Sequence, residues 1–129
     1  MDHEPRRIAV FGSTGSIGRS ALEVIGASEG RLEAVVLAAH RRLGELCEQA
    51  WKFRPRWVVA TDPAAAERFD WHALPPGTEV LVGQEGLERA AALAEVEIVL
   101  AAVVGSAGLR GTWAALECGK TVALANKET

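Results

Sequence analysis

The sequence has little that would favour an extracellular, membrane or nucleic-acid-binding protein. Its two cysteines, Cys47 and Cys118, form no C-x-x-C pair, so reduced core thiols in a cytoplasmic protein are expected. No apolar stretch approaches the length of a membrane span, and the first residues lack the apolar segment of a signal peptide. The net charge of −3 gives no overall field that attracts nucleic acid or an anionic membrane. Any anion-binding site must therefore be local.

The size and composition predict one ordinary globular domain. The 129 residues are 49% hydrophobic and 24% charged, which is typical of a chain that buries a core without disulfides. The one close Asp-x-Glu, Asp2-His3-Glu4, lies in a tail ahead of the first strand and has no rigid scaffold. No metal site is expected in this chain.

Apolar runs and helical repeats alternate along the chain, which predicts an α/β fold. The expected strands are residues 7–11, 32–39, 57–61, 79–82, 98–104 and 121–125, and the expected helices are 16–27, 43–53, 63–69, 84–93 and 109–117. In the first helix the apolar face is expected to carry Ile17, Ala21, Val24, Ile25 and Ser28. Regular alternation predicts right-handed crossovers, and hence a Rossmann-like doubly wound parallel sheet with helices on both faces.

Three glycines, Gly12, Gly15 and Gly18, separate the first strand from the first helix. Many α/β folds carry glycine turns that bind nothing, and the spacing here is Gly-x-x-Gly-x-x-Gly rather than Gly-x-Gly-x-x-Gly. The position favours binding, because a doubly wound fold places its phosphate loop after the first strand, with the helix N-terminus facing the anion. No Gly-Lys-Ser or Gly-Lys-Thr closes this motif, which excludes a P-loop at the turn. The turn predicts dinucleotide binding.

The end of the second strand indicates which dinucleotide is bound. A NAD site places a carboxylate there for the ribose hydroxyls, whereas this chain has His40, Arg41 and Arg42. Two guanidiniums can form hydrogen-bonded ion pairs with a 2′-phosphate. Without a bound anion, cations at a helix N-terminus are unfavourable, because the helix dipole is positive there. A solvated helix start is the alternative interpretation. The pattern favours NADPH.

Polar residues follow the last predicted strand. Asn126, Lys127 and Glu128 are expected in the ligand crevice, because the crevice of an open α/β sheet lies beyond the carboxyl ends of its strands. A frayed polar terminus is the alternative.

Four segments together resemble the 1-deoxy-D-xylulose 5-phosphate reductoisomerase family. They are Gly-Ser-Thr-Gly-Ser-Ile-Gly at 12–18, Phe-Arg-Pro-Arg at 53–56, Ala-Ala-Val-Val-Gly-Ser-Ala-Gly-Leu at 101–109 and Leu-Ala-Asn-Lys-Glu-Thr at 124–129. The resemblance covers essentially the whole chain, in order. Family members continue into a catalytic domain and a C-terminal helical domain, so residues 1–129 are expected to form the NADPH-binding domain alone.

The resemblance also implies roles for individual residues. The pyrophosphate region of NADPH would contact Thr14, Gly15, Ser16 and Ile17, and the 2′-phosphate would be surrounded by His40, Arg41 and Arg42. Asn126 and Glu128 would also contact NADPH, whereas Lys127 would contact the sugar phosphate substrate. The family usually has a small residue and an asparagine within 40–42, and a serine where Thr129 stands. The basic pair would therefore change how the phosphate is held without changing the preference for NADPH.

The family reaction converts 1-deoxy-D-xylulose 5-phosphate into 2-C-methyl-D-erythritol 4-phosphate, in isoprenoid precursor biosynthesis. NADPH gives the hydride and a divalent cation (Mg, Mn or Co) holds the substrate oxygens, at a site expected beyond this chain; the parent enzyme is expected to be a homodimer. The chain alone should bind NADPH without turnover.

Three alternative functions stay open for this sequence. They are another NADP-dependent reductase of the aspartate-semialdehyde or dihydrodipicolinate type, a nucleotide-sensing module without catalysis, and a domain that binds no nucleotide.

Overall fold

A six-stranded parallel sheet forms the centre of the molecule. The computed structural model describes residues 4–102 and 109–124, and its strands are ordered β4-β3-β2-β1-β5-β6, every neighbouring pair being parallel. The elements are β1 (Arg6–Phe11), α1 (Ser16–Gly26), β2 (Leu32–Ala39), α2 (Leu43–Phe53), β3 (Trp57–Ala60), α3 (Pro63–Arg68), a 3₁₀ turn (Trp71–Ala73), β4 (Glu79–Val82), α4 (Gly83–Ala91), β5 (Ile98–Ala101), α5 (Leu109–Glu117) and β6 (Thr121–Leu124). The predicted Rossmann-like fold is confirmed.

Helices cover both faces of the sheet. Because successive strand residues point to opposite faces, each strand contributes side chains to both cores. Ile8 and Val10 of β1 belong to the core beneath α1, α2 and α3, whereas Ala9 and Phe11 belong to the core beneath α4 and α5. All four side chains are less than a tenth exposed. The continuous apolar character of the strands follows from burial on both faces.

The strand order reverses beside β1, and this determines where a ligand crevice forms. From β1 the chain moves outward through β2, β3 and β4, then crosses the sheet to β5 on the other side of β1. The crevice of such a sheet opens at the carboxyl ends of the strands next to this switch point. The glycine turn directly follows β1 and therefore lies at that edge.

The structure corrects two expectations about side-chain burial. Val24 is 63% exposed, because α1 packs through Gly18, Leu22 and Ile25, and Val24 is about 200° around the helix from Leu22. Cys118 is exposed rather than in the core, since it follows the last residue of α5 in a turn. Several elements end one or two residues earlier than expected, and β5 does not include residue 102. The predicted strand residues 103, 104 and 125 lie outside the described ranges.

The two thiols are expected to differ in reactivity. Cys47 is 4% exposed and burial raises the pKa of its thiol, so little of the nucleophilic thiolate is accessible at neutral pH. A maleimide reagent should label Cys118 rapidly and Cys47 only after denaturation, and Cys118→Ser should remove the rapid phase. Rapid labelling of both thiols in the native chain would contradict this placement.

None of the helices within residues 4–102 and 109–124 is long and apolar enough to cross a lipid bilayer.

Candidate functional site

The glycine turn is anchored to the end of β2. The N–H groups of Gly12 and Ser13 both donate to the carbonyl of Ala38, each at 2.9 Å. Gly12 has a φ of +86°, a conformation that favours glycine, and the Gly15 N–H closes the turn on the Gly12 carbonyl at 3.2 Å. The turn therefore leaves β1 with a defined direction towards α1.

The third glycine permits a close approach between α1 and the turn. A Cβ atom at Gly18 would lie 2.1 Å from the Gly12 carbonyl oxygen and 2.7 Å from the Ser13 Cα. Both neighbours are backbone atoms, so no rotamer change relieves the contact. The sequence motif thus corresponds to a steric requirement at its last position.

The N-terminus of α1 is open to an anion. Gly15 is the N-cap residue, and no side chain caps the helix. The Arg19 N–H donates to the Gly15 carbonyl at 2.9 Å, which leaves the earlier N–H groups of the first turn for an outside acceptor. Gly15 and Ser16 are exposed at this end. The helix dipole favours negative charge here.

Gln49 of α2 holds the turn from behind, a contact that sequence reasoning missed. The Ser13 hydroxyl donates to Gln49 Oε1 at 2.7 Å, and Gln49 Nε2 donates to the Ser13 carbonyl at 2.9 Å. Ser13 is fully buried, so these bonds satisfy its polar groups. The two residues are 36 positions apart, and no local pattern connects them.

A cavity of about 470 Å³ lies between the glycine turn and the end of β2. Seven residues line it: Thr14, Gly15, Ser16, Arg19, His40, Arg41 and Arg42. Six of them are sequence-predicted site residues, which the fold brings together from two separate segments. Gly12, Ile17 and Gly18 do not line this cavity, and Gly12 and Gly18 instead shape the turn. Arg19 was not predicted, although it is one helical turn beyond Gly15 and therefore on the same side of α1.

Arg41 is already paired with a carboxylate. Its Nε donates to Asp62 Oδ2 at 2.9 Å, and this hydrogen bond contributes most to holding the pKa of Asp62 below its ordinary value. Asp62 also accepts from the Ala64 N–H at 3.1 Å, which caps α3. Asp62 thus partly offsets the charge that Arg41 brings to the cavity.

His40 turns towards the same segment. Its Nδ1 lies 2.9 Å from Thr61 Oγ1 in a hydrogen bond, and its Nε2 lies 4.0 Å from Asp62 Oδ2. These contacts position the imidazole at the rim of the cavity, where it is exposed.

Arg42 is the N-cap residue of α2 and keeps its guanidinium available. No described residue forms a hydrogen bond or ion pair with this guanidinium. The carboxylate of Glu45, one turn along α2, makes two short bonds to Arg19 instead, at 2.7 and 2.9 Å. Those bonds are the main cause of the lowered pKa of Glu45, and Arg42 adds a smaller effect. A cation at a helix N-terminus lacks a favourable dipole, so an anionic ligand would stabilise it.

Part of the predicted site lies outside the described residues. Asn126, Lys127 and Glu128 are in this category, as are Asp2 and His3 of the rejected Asp-x-Glu motif. Within 4–102 and 109–124, no group of three or more histidine, cysteine or acidic side chains is arranged to hold a metal ion.

Comparison with known proteins gives one consistent family. The family model of 1-deoxy-D-xylulose 5-phosphate reductoisomerase matches residues 8–129. The reductoisomerase of Anaeromyxobacter sp. (strain K) is 52% identical over 124 residues, and that of Nitrosomonas europaea is 44% identical over 126 residues; each match covers 96% of this chain. The chain spans only about a third of these relatives, 32% and 30% of their lengths.

Solved structures agree with the sequence comparison. The reductoisomerase from Zymomonas mobilis in complex with NADPH superposes with a TM-score of 0.86 at 36% identity, covering 95% of this chain and 32% of that one. A DOX-P reductoisomerase in complex with NADPH, fosmidomycin and magnesium gives a TM-score of 0.83 at 35% identity, covering 94% and 30%. The fold, the glycine turn and these matches establish that the chain belongs to the 1-deoxy-D-xylulose 5-phosphate reductoisomerase family.

Proposed function

We propose that the cavity between the glycine turn and the end of β2 binds NADPH. The pyrophosphate would lie at the open N-terminus of α1, at Thr14, Gly15 and Ser16, where N–H groups and the helix dipole favour an anion. The 2′-phosphate would lie against Arg41 and Arg42. The observation that carries this proposal is that Arg42 lines the cavity while its guanidinium has no hydrogen bond or ion pair with any described residue.

Two features support NADPH over NADH. The residue after β2 is His40, so the carboxylate that would accept hydrogen bonds from a free ribose 2′-hydroxyl is missing at this position. The Asp62 carboxylate, whose Oδ2 lies 4.0 Å from His40 Nε2, is held by Arg41 and by the first turn of α3. The 2′-phosphate of NADPH would therefore lie beside cationic side chains, those of Arg41 and Arg42.

The family membership supports a wider proposal for the protein that contains this chain. It would convert 1-deoxy-D-xylulose 5-phosphate into 2-C-methyl-D-erythritol 4-phosphate, and this chain would hold the cofactor that supplies the hydride. Asn126 and Glu128 would contact NADPH and Lys127 the sugar phosphate, where an ammonium suits an anionic ligand. A divalent cation would be bound by parts of the protein outside this chain. The homodimer and the cytoplasmic location stay predictions.

The family match weakens the alternative reductases. A semialdehyde or dihydrodipicolinate reductase shares the glycine pattern, but the family model extends through residue 129 and so includes the Ala-Asn-Lys-Glu segment. A nucleotide-sensing module without catalysis also predicts cofactor binding, so binding alone does not separate it from an enzyme.

An activity measurement tests the wider proposal. The complete product of the gene that encodes this chain should oxidise NADPH when 1-deoxy-D-xylulose 5-phosphate and Mg²⁺ or Mn²⁺ are both present, and not when either is omitted. A complete gene product that binds NADPH but leaves it unoxidised with this substrate would contradict the reductoisomerase proposal and favour the sensing module. The 129-residue chain alone should show no turnover.

A further inference from the structure

We propose that Arg19 is an additional ligand of the cofactor 2′-phosphate, held in position by Glu45; this inference rests on the proposed NADPH site. Arg19 lines the same cavity as Arg41 and Arg42, although it comes from α1. It belongs neither to the glycine turn nor to the basic segment after β2. Its side chain is 46% exposed, so a ligand can reach it.

The bond pattern of Arg19 leaves one edge of its guanidinium free. Nε and Nη2 donate to the two oxygens of Glu45 at 2.7 and 2.9 Å, a side-on fork. A guanidinium has five N–H donors, so the other edge, formed by Nη1 and the second hydrogen of Nη2, still offers three. Among the described residues no acceptor bonds to that edge. A planar guanidinium that is bound to a carboxylate along one edge can still donate two hydrogen bonds to a phosphate along its other edge.

The anchor brings Arg19 towards the phosphate end of the cavity. Glu45 is on α2, three residues after Arg42, and positions three apart share a helix face. The ion pair therefore draws the Arg19 guanidinium from α1 towards the start of α2, where Arg42 lies. The lowered pKa of Glu45, which has contributions from both arginines, agrees with this placement.

Anchoring also limits the entropy lost on binding. A free arginine loses rotamer freedom when it grips a ligand, whereas Arg19 is already fixed by a bidentate contact. Arg19 is thus expected to favour NADPH over NADH, because it faces the group by which the two cofactors differ.

The test compares four proteins, each as the complete gene product, titrated separately with NADPH and NADH. They are the wild type, Arg19→Gln, the double variant Arg19→Gln/Glu45→Gln, and Arg31→Gln as a control. Arg31 is exposed and precedes β2 at the opposite end of the strand, so its removal changes net charge equally without approaching the cavity.

Arg19→Gln is expected to weaken NADPH binding about tenfold and to change NADH binding by less than about twofold. The double variant should remain as weak as the single variant, and Arg31→Gln should match the wild type. Recovery in the double variant would overturn the proposal, because Arg19 would then only mask the charge of Glu45. Unchanged NADPH binding in Arg19→Gln, or an equal loss for NADH, would also overturn it. Wild-type protein that binds neither cofactor would instead contradict the proposed function.

Discussion

Replacing Gly18 with alanine is expected to lower the free energy of unfolding by about 3 kcal/mol, the upper end of the usual cost of overpacking. The new Cβ would stand 2.1 Å from the Gly12 carbonyl oxygen and 2.7 Å from the Ser13 Cα. Because both atoms belong to the backbone, α1 or the turn must move. The gain in helix propensity from glycine to alanine, about 1 kcal/mol, is too small to offset this. Urea unfolding of the 129-residue chain measures the difference.

Gly15→Ala is the matched control for this change. Its Cβ would lie 3.5 Å from the Gly12 carbonyl oxygen, an ordinary contact, and its φ of −80° suits any residue. The unfolding free energy should change by less than about 1 kcal/mol, since the loss of a favourable N-cap residue and the stiffer unfolded chain act in opposite directions. Equal destabilisation by the two alanines would show that the close approach at Gly18 is not the cause.

Arg42→Glu is expected to remove the preference for NADPH. The variant replaces a guanidinium by a carboxylate at the start of α2, where the 2′-phosphate is proposed to bind. Losing one hydrogen-bonded charge pair costs about 1.5–3 kcal/mol, so NADPH affinity should fall roughly ten- to a hundredfold, and repulsion adds to this loss. NADH affinity should change little. Calorimetric titration of the complete gene product with both cofactors measures the two affinities.

Arg41→Gln/Asp62→Asn gives the informative comparison. Arg41 already bonds to Asp62 at 2.9 Å, so the double variant removes both members of a pair whose charges offset each other and leaves no freed carboxylate beside the phosphate. We expect a smaller loss of NADPH affinity than for Arg42→Glu. Arg31→Glu, at the far end of β2, should have no effect on either cofactor. A loss in Arg31→Glu comparable to that in Arg42→Glu would mean that net charge, rather than the cavity, controls binding.

The fold could be predicted from the sequence because its signals are local. Continuous apolar runs such as 32–39 require burial on both faces, and an aspartate followed by proline, as at Asp62-Pro63, is a local signal for a helix start such as that of α3. The glycine turn needed no tertiary information either. Element ends were less predictable, since the last residues of a strand or helix depend on what packs beside them.

The site could be predicted only in part, because its geometry depends on distant pairs. The basic segment after β2 identified Arg41 and Arg42, but the pairing of Arg41 with Asp62 spans 21 positions. Arg19 and Glu45 are 26 positions apart, and no pattern within either helix shows that they meet. In the sequence Arg41 and Arg42 look like equivalent neighbours. The structure shows that the Arg41 guanidinium is paired with a carboxylate, whereas the Arg42 guanidinium is available to a ligand.

Comparative titration of the wild-type complete gene product with NADPH and NADH tests the central claim, that this cavity recognises a 2′-phosphate. The two cofactors share every group except that phosphate, so the ratio of their affinities isolates its contribution. We expect NADPH to bind at least about tenfold more tightly, as one hydrogen-bonded charge pair requires. Equal affinities, or binding of neither cofactor by a folded protein, would contradict the assignment of Arg41 and Arg42 to the phosphate.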